Sequence, residues 1–240
     1  MENPGKNPIL SEFFGVMTGD GCLSNTGKRK GSGNKYWLYI CGHKFDDRQH
    51  YEYLSKMIEV LFNKKVNIGE RKKEKAIFIR FSDKKIFQRL VELGFPVGKK
   101  YSKIDIPNWI VNENENSALF LRGLFDTDGS FVLSKQHKKI PYYPRIEIAT
   151  KSLILAQKVK SLINRFGIGC SLNKKKEYFR LEVAGSTNCQ NWMRLIGTRN
   201  NKHKVKYERY LERRASPGAY DTFLAFLLKR FSASHQICQK

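Results

Sequence analysis

Two segments of the chain are apolar on nearly every side. One is Phe13-Phe14-Gly15-Val16-Met17-Thr18-Gly19-Asp20-Gly21, and the other is Leu121-Arg122-Gly123-Leu124-Phe125-Asp126-Thr127-Asp128-Gly129. Aligned, they place Gly15 on Gly123, Asp20 on Asp128 and Gly21 on Gly129. A helix apolar all round must be buried on most faces. Gly15 and Gly19 sit four apart, so one face lacks side chains and another backbone can come close. The simplest arrangement packs the two helices on each other, with Asp20 and Asp128 side by side at their C-terminal ends.

The pattern between and after these segments repeats. In the first half, Pro8 opens the apolar helix and Ser11 is expected near its cap. Short strands are expected over 22–24 and 36–41, around a basic tip at 25–35 rich in Gly, Ser, Lys and Arg. Asp46 begins a helix whose apolar positions Tyr53, Leu54, Met57, Ile58, Leu61 and Phe62 fall at helical spacing. Strands over 65–71 and 76–82 flank the basic turn 72–75, then Asp83 caps a helix that Gly94 stops. The second half repeats the order, with a helix at 115–127, strands at 130–134 and 143–149, a helix at 152–166, strands at 170–174 and 178–183, and a helix from 187 to Gly197. The closing segments align without a gap, Leu93-Gly94 on Ile196-Gly197, which sets Lys103 on Lys206.

This reading predicts an α+β fold of two pseudo-symmetric αββαββα halves, each with a four-stranded antiparallel sheet. The expected boundaries are 1–97 for the first half, 98–114 for a linker, 115–214 for the second half and 215–240 for a helical tail. Residues 1–8 read as a flexible lead, and an amphipathic helix is expected over 219–231 as structural cover.

Charge narrows the function. The 240 residues carry 45 Lys+Arg against 22 Asp+Glu, a formal net charge of +23. Such an excess calls for a polyanionic partner, with nucleic acid first and a membrane surface second. The positive charge recurs at the strand-turn-strand units, at Lys28, Arg29, Lys30, Lys35, Lys72, Lys73, Lys75, Arg80, Lys135, Lys138, Arg145, Lys174, Lys176 and Arg180. That distribution over hairpins, and not along one amphipathic helix, favours nucleic acid. No run of about 18 apolar residues is present, so no transmembrane helix is expected, and the polar start at 1–8 does not resemble a signal peptide. The five cysteines include no Cys-x-x-Cys pair and read as reduced thiols of an intracellular protein. The five histidines are scattered, which argues against a His-metal nuclease.

The paired acids carry the chemistry. Two adjacent carboxylates repel, and the negative ends of two helix dipoles add to the cost. A hard divalent cation such as Mg²⁺, bound between them with phosphate oxygens, removes it. A single Asp-Gly is otherwise a helix stop followed by a turn; two at equivalent places point to a site.

The two motifs resemble those of the LAGLIDADG homing endonucleases in their two-motif, single-chain form. The second matches well, through Leu121, Gly123, Leu124, Asp126, Asp128 and Gly129; the first is looser, with Thr18 at the place of the motif's first Asp and Phe13-Phe14 for Leu-Ala. The resemblance, over about residues 8–214, implies a DNA-binding saddle on a monomer that reads a long asymmetric duplex and hydrolyses one phosphodiester on each strand. It implies Mg²⁺ held by Asp20 and Asp128 with carbonyls of Gly19 and Thr127, Mn²⁺ as a substitute, and Ca²⁺ supporting binding without cleavage. A lysine near each acid is implied too; Lys103 and its counterpart Lys206 are the expected pair, with Lys99, Lys100 and Lys202 as rivals. An RNA maturase or a non-catalytic DNA-binding regulator on the same fold is the alternative. Retention of both terminal acids favours cleavage. An intein is expected to start with a nucleophile and end with Asn; Met1 and Lys240 lead instead to the expectation of a freestanding or intron-encoded enzyme, without an obligate protein partner.

Overall fold

The computed structural model describes residues 7–26, 35–71, 73–101, 103–136 and 140–215. The chain divides into two compact units between Lys204 and Val205. The first unit contains α1 (Pro8–Gly19), β1 (Gly21–Thr26), β2 (Lys35–His43), α2 (Arg48–Phe62), β3 (Ile68–Arg71), β4 (Ala76–Ser82), α3 (Lys84–Glu92), the single turn α4 (Asn108–Val111), α5 (Asn114–Asp128), β5 (Gly129–Gln136), β6 (Ile140–Thr150), α6 (Leu153–Arg165), β7 (Ser171–Lys174), β8 (Phe179–Ala184) and α7 (Ser186–Leu195). A last helix, α8 (Asn201–Ala215), includes the described part of the second unit.

Two four-stranded antiparallel sheets result, in the orders β1-β2-β4-β3 and β5-β6-β8-β7. Their registers correspond: Ile40 stands opposite both Gly21 and Ile79, and Ile148 opposite both Gly129 and Leu181. Period-two alternation explains the sheets, because Leu38, Ile40, Ile77, Ile79 and Phe81 are buried on one side, as are Ile146, Ile148, Leu181 and Val183 in the second sheet. The opposite faces carry Trp37, Tyr39 and Arg80 in one sheet and Arg145, Glu147, Arg180 and Glu182 in the other. The expected order of elements is therefore present in both halves.

Several local expectations change. Asn7, not Ser11, caps α1: its side chain accepts from Leu10 N, and Ser11 is buried inside the helix. The residue before α2 is Asp47 and not Asp46, and Asp47 makes no capping bond. β3 starts at Ile68 and not at 65, because Asn63 turns left-handed (φ 48°) and the Val66 carbonyl accepts from Ser55 Oγ, outside the sheet ladder. Helix α4 was not expected. It follows Pro107, and its Trp109 packs edge-on against Phe14 while donating to the Leu93 carbonyl. Asp83 caps α3 as expected, and Gly94 and Gly197 take positive φ (100° and 72°) after their helices, a conformation glycine adopts without strain. The helix expected over 219–231 lies outside the described residues.

The core is centred on α1 against α5. A Cβ on Gly15 would stand 2.1 Å from the Phe120 carbonyl oxygen, and a Cβ on Gly123 would stand 2.2 Å from that of Glu12. The contact is thus backbone on backbone and reciprocal. Phe13, Phe14, Val16 and Met17 from α1, and Phe120, Leu121, Leu124 and Phe125 from α5, are almost wholly buried around it. One ion pair crosses the seam: Arg122 Nε donates to Glu12 Oε1 at 3.1 Å, with Glu12 only 2% exposed. Gly123→Leu should therefore force the helices apart and cost about 1–3 kcal/mol or more. A melting curve matching that of the unaltered protein would refute the helix contact.

Candidate metal and nucleic-acid site

The glycine contact brings the last turns of α1 and α5 together. A Cβ on Gly19 would lie 2.0 Å from Thr127 Oγ1 and 3.4 Å from the Asp128 carboxyl carbon, so the α1 terminus rests on the side chains that end α5. Asp20 consequently feels the Asp128 charge. Burial, then the Asp128 charge, then that of Asp47 push the Asp20 carboxyl up to about 7, against the opposing pull of Lys202 and Lys100. Burial also raises Asp128 while Lys100 and Lys202 lower it. Asp128 is the more open to solvent of the two, which screens much of that push.

Two lysines act electrostatically on these acids, and they are the rivals Lys100 and Lys202. Lys100 Nζ donates to the carbonyls of Met17 (3.1 Å), Gly21 (2.8 Å) and Gly19. Those carbonyls belong to the last turn of α1 and the first residue of β1, and a cation at the negative end of a helix is stabilising. Burial lowers the Lys100 pKa, against the pull of Asp128 and Asp20. Lys202 Nζ pairs with Asp47 Oδ1 at 2.8 Å. Lys103 is exposed on the turn that begins at Lys100, Lys99 is exposed, and Lys206 belongs to the second unit. The gapless alignment that paired Lys103 with Lys206 is off by one for the lysines at the acids: from Gly94 to Lys100 is one residue longer than from Gly197 to Lys202.

The motif's other acid has a different task. Asp126, 1% exposed, accepts from Thr198 Oγ1 and from Arg199 N at 2.7 Å, and its carbonyl accepts from Asn200 Nδ2 at 2.9 Å. It therefore fastens the 198–200 loop to α5. Thr18, at the same place in the first motif, instead returns its hydroxyl to the Phe14 carbonyl at 2.8 Å. Asn200 also donates to Asp47 Oδ1 at 2.8 Å, and Asp47 Oδ2 accepts from His43 N at 2.8 Å. Burial opposes ionisation of Asp47, yet Lys202 and Asn200 hold its carboxyl below the usual range. Asp47, Asn200 and Asp126 were not legible as site residues. The sequence points to Asp46 as the start of that helix, and nothing local links Asp47 to residues 153 and 155 positions away.

Among the described residues, no group of three or more His, Cys, Asp or Glu side chains could enclose a metal ion. The donors present are two carboxylates and helix-end carbonyls, one set of which already attracts the Lys100 ammonium. Such hard oxygen donors, too few for a closed shell, fit a divalent ion that draws its remaining ligands from water and phosphate.

The basic residues expected at the hairpins divide into groups. Lys73, Lys75, Lys174 and Lys176 are exposed at or beside turns, and Lys35 and Arg80 lie over the Trp37 ring, Arg80 at 4.1 Å. Arg145 and Arg180 are instead engaged. Glu147 and Glu182 stand directly opposite in the register, an unfavourable like-charge pair, and the two arginines flank them at 3.3–3.6 Å. Lys28, Arg29, Lys30, Lys72 and Lys138, and the side chain of Lys135, lie outside the described residues. The four described cysteines are free thiols, as expected. No described helix is long and apolar enough to cross a membrane.

Burial raises Asp20 and Asp126 to about 7, against an ordinary carboxyl near 3.9. Between those values these two carboxyls bind more protons in the folded chain than in the unfolded one, so the stability they contribute falls as pH rises from about 4 to about 7, with buried His50, lowered to about 4, opposing them in part. The melting temperature of the metal-free protein should drop across that window, and Asp20→Asn should make the drop shallower. An unchanged pH profile in Asp20→Asn would mean that the carboxyl is not held in this environment.

Comparison with known proteins agrees with this geometry. Residues 115–207 match the family described as LAGLIDADG-like domain. No curated protein matches the chain by sequence. Among solved structures, a mesophilic variant from the homing endonuclease I-DmoI is 20% identical, covering 82% of this chain and 97% of its own, with a TM-score of 0.57. The LAGLIDADG homing endonuclease I-LtrWI, bound to target DNA, is 12% identical over 91% of this chain and 96% of its own, with a TM-score of 0.62. The LAGLIDADG meganuclease I-AabMI, bound to uncleaved DNA, is 14% identical over 82% and 87%, with a TM-score of 0.56. I-DmoI has been solved in complex with DNA and Mn and with DNA and Ca. Residues 115–207 thus match a LAGLIDADG-like domain, and the chain carries the fold of the LAGLIDADG homing endonucleases.

Proposed function

We propose that this chain is a site-specific DNA endonuclease that binds one long asymmetric duplex as a monomer and hydrolyses one phosphodiester on each strand. The observation that carries this reading is the pair Asp20 and Asp128, brought to one place by a glycine-lined helix contact and left with raised pKa values that a cation would reverse. The carboxylates of Asp20 and Asp128, with the carbonyls of Gly19 and Thr127, would hold Mg²⁺ or Mn²⁺. Such a cation, when bound, lowers the pKa of an attacking water and offsets charge on the phosphate. Lys100 and Lys202 add fixed positive charge beside the acids, where negative charge develops on the phosphate oxygens. The DNA complexes of the structural relatives, one with Mn and one with Ca, support the choice of partner and cofactor class.

In this reading the exposed hairpin lysines meet phosphates, and the open sheet faces read base edges in the major groove. The Arg145–Glu147–Arg180–Glu182 face is locally neutral, so it is suited to base reading more than to backbone attraction.

Two outcomes follow. Asp20→Asn and Asp128→Asn should each abolish double-strand cleavage of a labelled duplex in Mg²⁺ and leave the Ca²⁺-supported binding titration nearly unchanged. Full cleavage by either variant would sink the assignment of metal ligands. Binding should also weaken steeply with salt, with a log–log slope of about −9 if ten phosphates are neutralised. Removing exposed lysines such as Lys73 and Lys75 should each reduce that slope by about 1, whereas Arg145→Ala and Arg180→Ala should leave it unchanged and relax base preference. Equal slope changes from both groups would place the two arginines on the backbone.

A further inference from the structure

The two lysines at the acids are held by different means. Lys100 is bonded to three carbonyls of its own half, at the end of α1 and the start of β1. An ammonium has three donors, so these bonds use all of them. Lys202 is held by a carboxylate from the other half. Asp47, at the β2–α2 junction, pairs with Lys202 Nζ at 2.8 Å, is 5% exposed, and binds Asn200 Nδ2 at 2.8 Å with the same oxygen. Its second oxygen is fixed by His43 N at 2.8 Å, so the carboxylate cannot turn without breaking a backbone bond. Asn200 closes the loop: its side-chain amide reaches the Asp126 carbonyl, and its Oδ1 accepts from Lys202 N at 3.1 Å.

We propose that Asp47 is a positioning residue, which holds Lys202 beside Asp20 and Asp128 and thereby sets the cleavage rate of one DNA strand but not the other. The proposal rests on the nuclease reading above. Three features favour it over a purely structural salt bridge. Lys202 has three donors and, among the described residues, one carboxylate partner, so it keeps N–H groups for a phosphate, unlike Lys100. Asp47 and Lys202 both act electrostatically on Asp20. Finally, Asp47 is drawn away from capping α2, the role its position offers, and serves residues of the other half instead. With Asp47 neutral, the Lys202 ammonium would lose its fixed partner and turn toward the Asp20 and Asp128 carboxylates, out of register with a bound phosphate.

The test is strand-resolved. A duplex carrying the target site is labelled on each strand in turn and cleaved under single-turnover conditions in Mg²⁺, at saturating protein. The variants are Asp47→Asn, Lys202→Met and the double substitution, each with its melting temperature and its binding in Ca²⁺ measured. Asp47→Asn and Lys202→Met should slow the same strand by about tenfold or more, in keeping with the cost of misplacing one group by about 1 Å. The other strand should stay within about threefold, and the double variant should be no slower than Lys202→Met. If Asp47→Asn melts below the assay temperature, Asp47→Glu, which keeps the charge but displaces it, carries the test and should slow the same strand as Lys202→Met. Slowing of both strands alike, of different strands, or multiplicatively in the double variant would overturn the proposal. Should Asp20→Asn and Asp128→Asn still cut, the nuclease reading itself fails; should they be inactive while the effects of Asp47 and Lys202 multiply, only the positioning role fails.

Discussion

The close approach of α1 and α5 is the constraint on which the rest depends. Gly15 and Gly123 each face a carbonyl of the other helix, at distances no side chain would tolerate. The same approach buries the phenylalanines that flank the glycines, so the best-packed core and the tightest backbone contact are one feature. Because both helices end at that seam, their terminal acids are carried to one place by packing. The acids did not choose the position; the glycines did.

That placement stores an electrostatic conflict. Two carboxylates at two negative helix ends are unfavourable, and the fold answers with cations of its own. Lys100 sits on carbonyls where α1 ends and β1 begins, and Lys202 stands on Asp47. The carboxyl of Asp20 remains near 7 even so. In the proposed function, a divalent ion between the two acids would relieve a penalty already present.

The pseudo-symmetry of the halves stops at this centre. Sheets, registers and helix ends correspond, while the groups around the acids do not. Thr18 bonds within its own helix where Asp126 fastens the 198–200 loop. One lysine sits on carbonyls and the other on a carboxylate. The sheet faces differ too: one stacks Arg80 on Trp37 and Arg71 beside Tyr39 and Phe78, and the other balances two arginines against two glutamates. Two unlike faces suit a duplex site whose halves are unlike.

The sequence by itself determined the order of elements, the two motif helices and the acids at their ends. Apolar periodicity and glycine spacing are local signals, and these features follow from local rules. It also located Asp83 as a cap and Gly94 and Gly197 as helix stops, since φ preference and capping act within a few residues. Tertiary structure alone decided which lysines meet the acids. Lys100 and Lys103 are equally plausible in a basic segment, and a one-residue difference in loop length redirects the choice. Asp47 shows the same limit: by position it is a capping residue, and only the folding of the second half brings Asn200 and Lys202 to it across more than 150 residues. A charge can be read from a chain, but its partner depends on where distant backbone is delivered, and that is fixed by packing of the two halves through glycine.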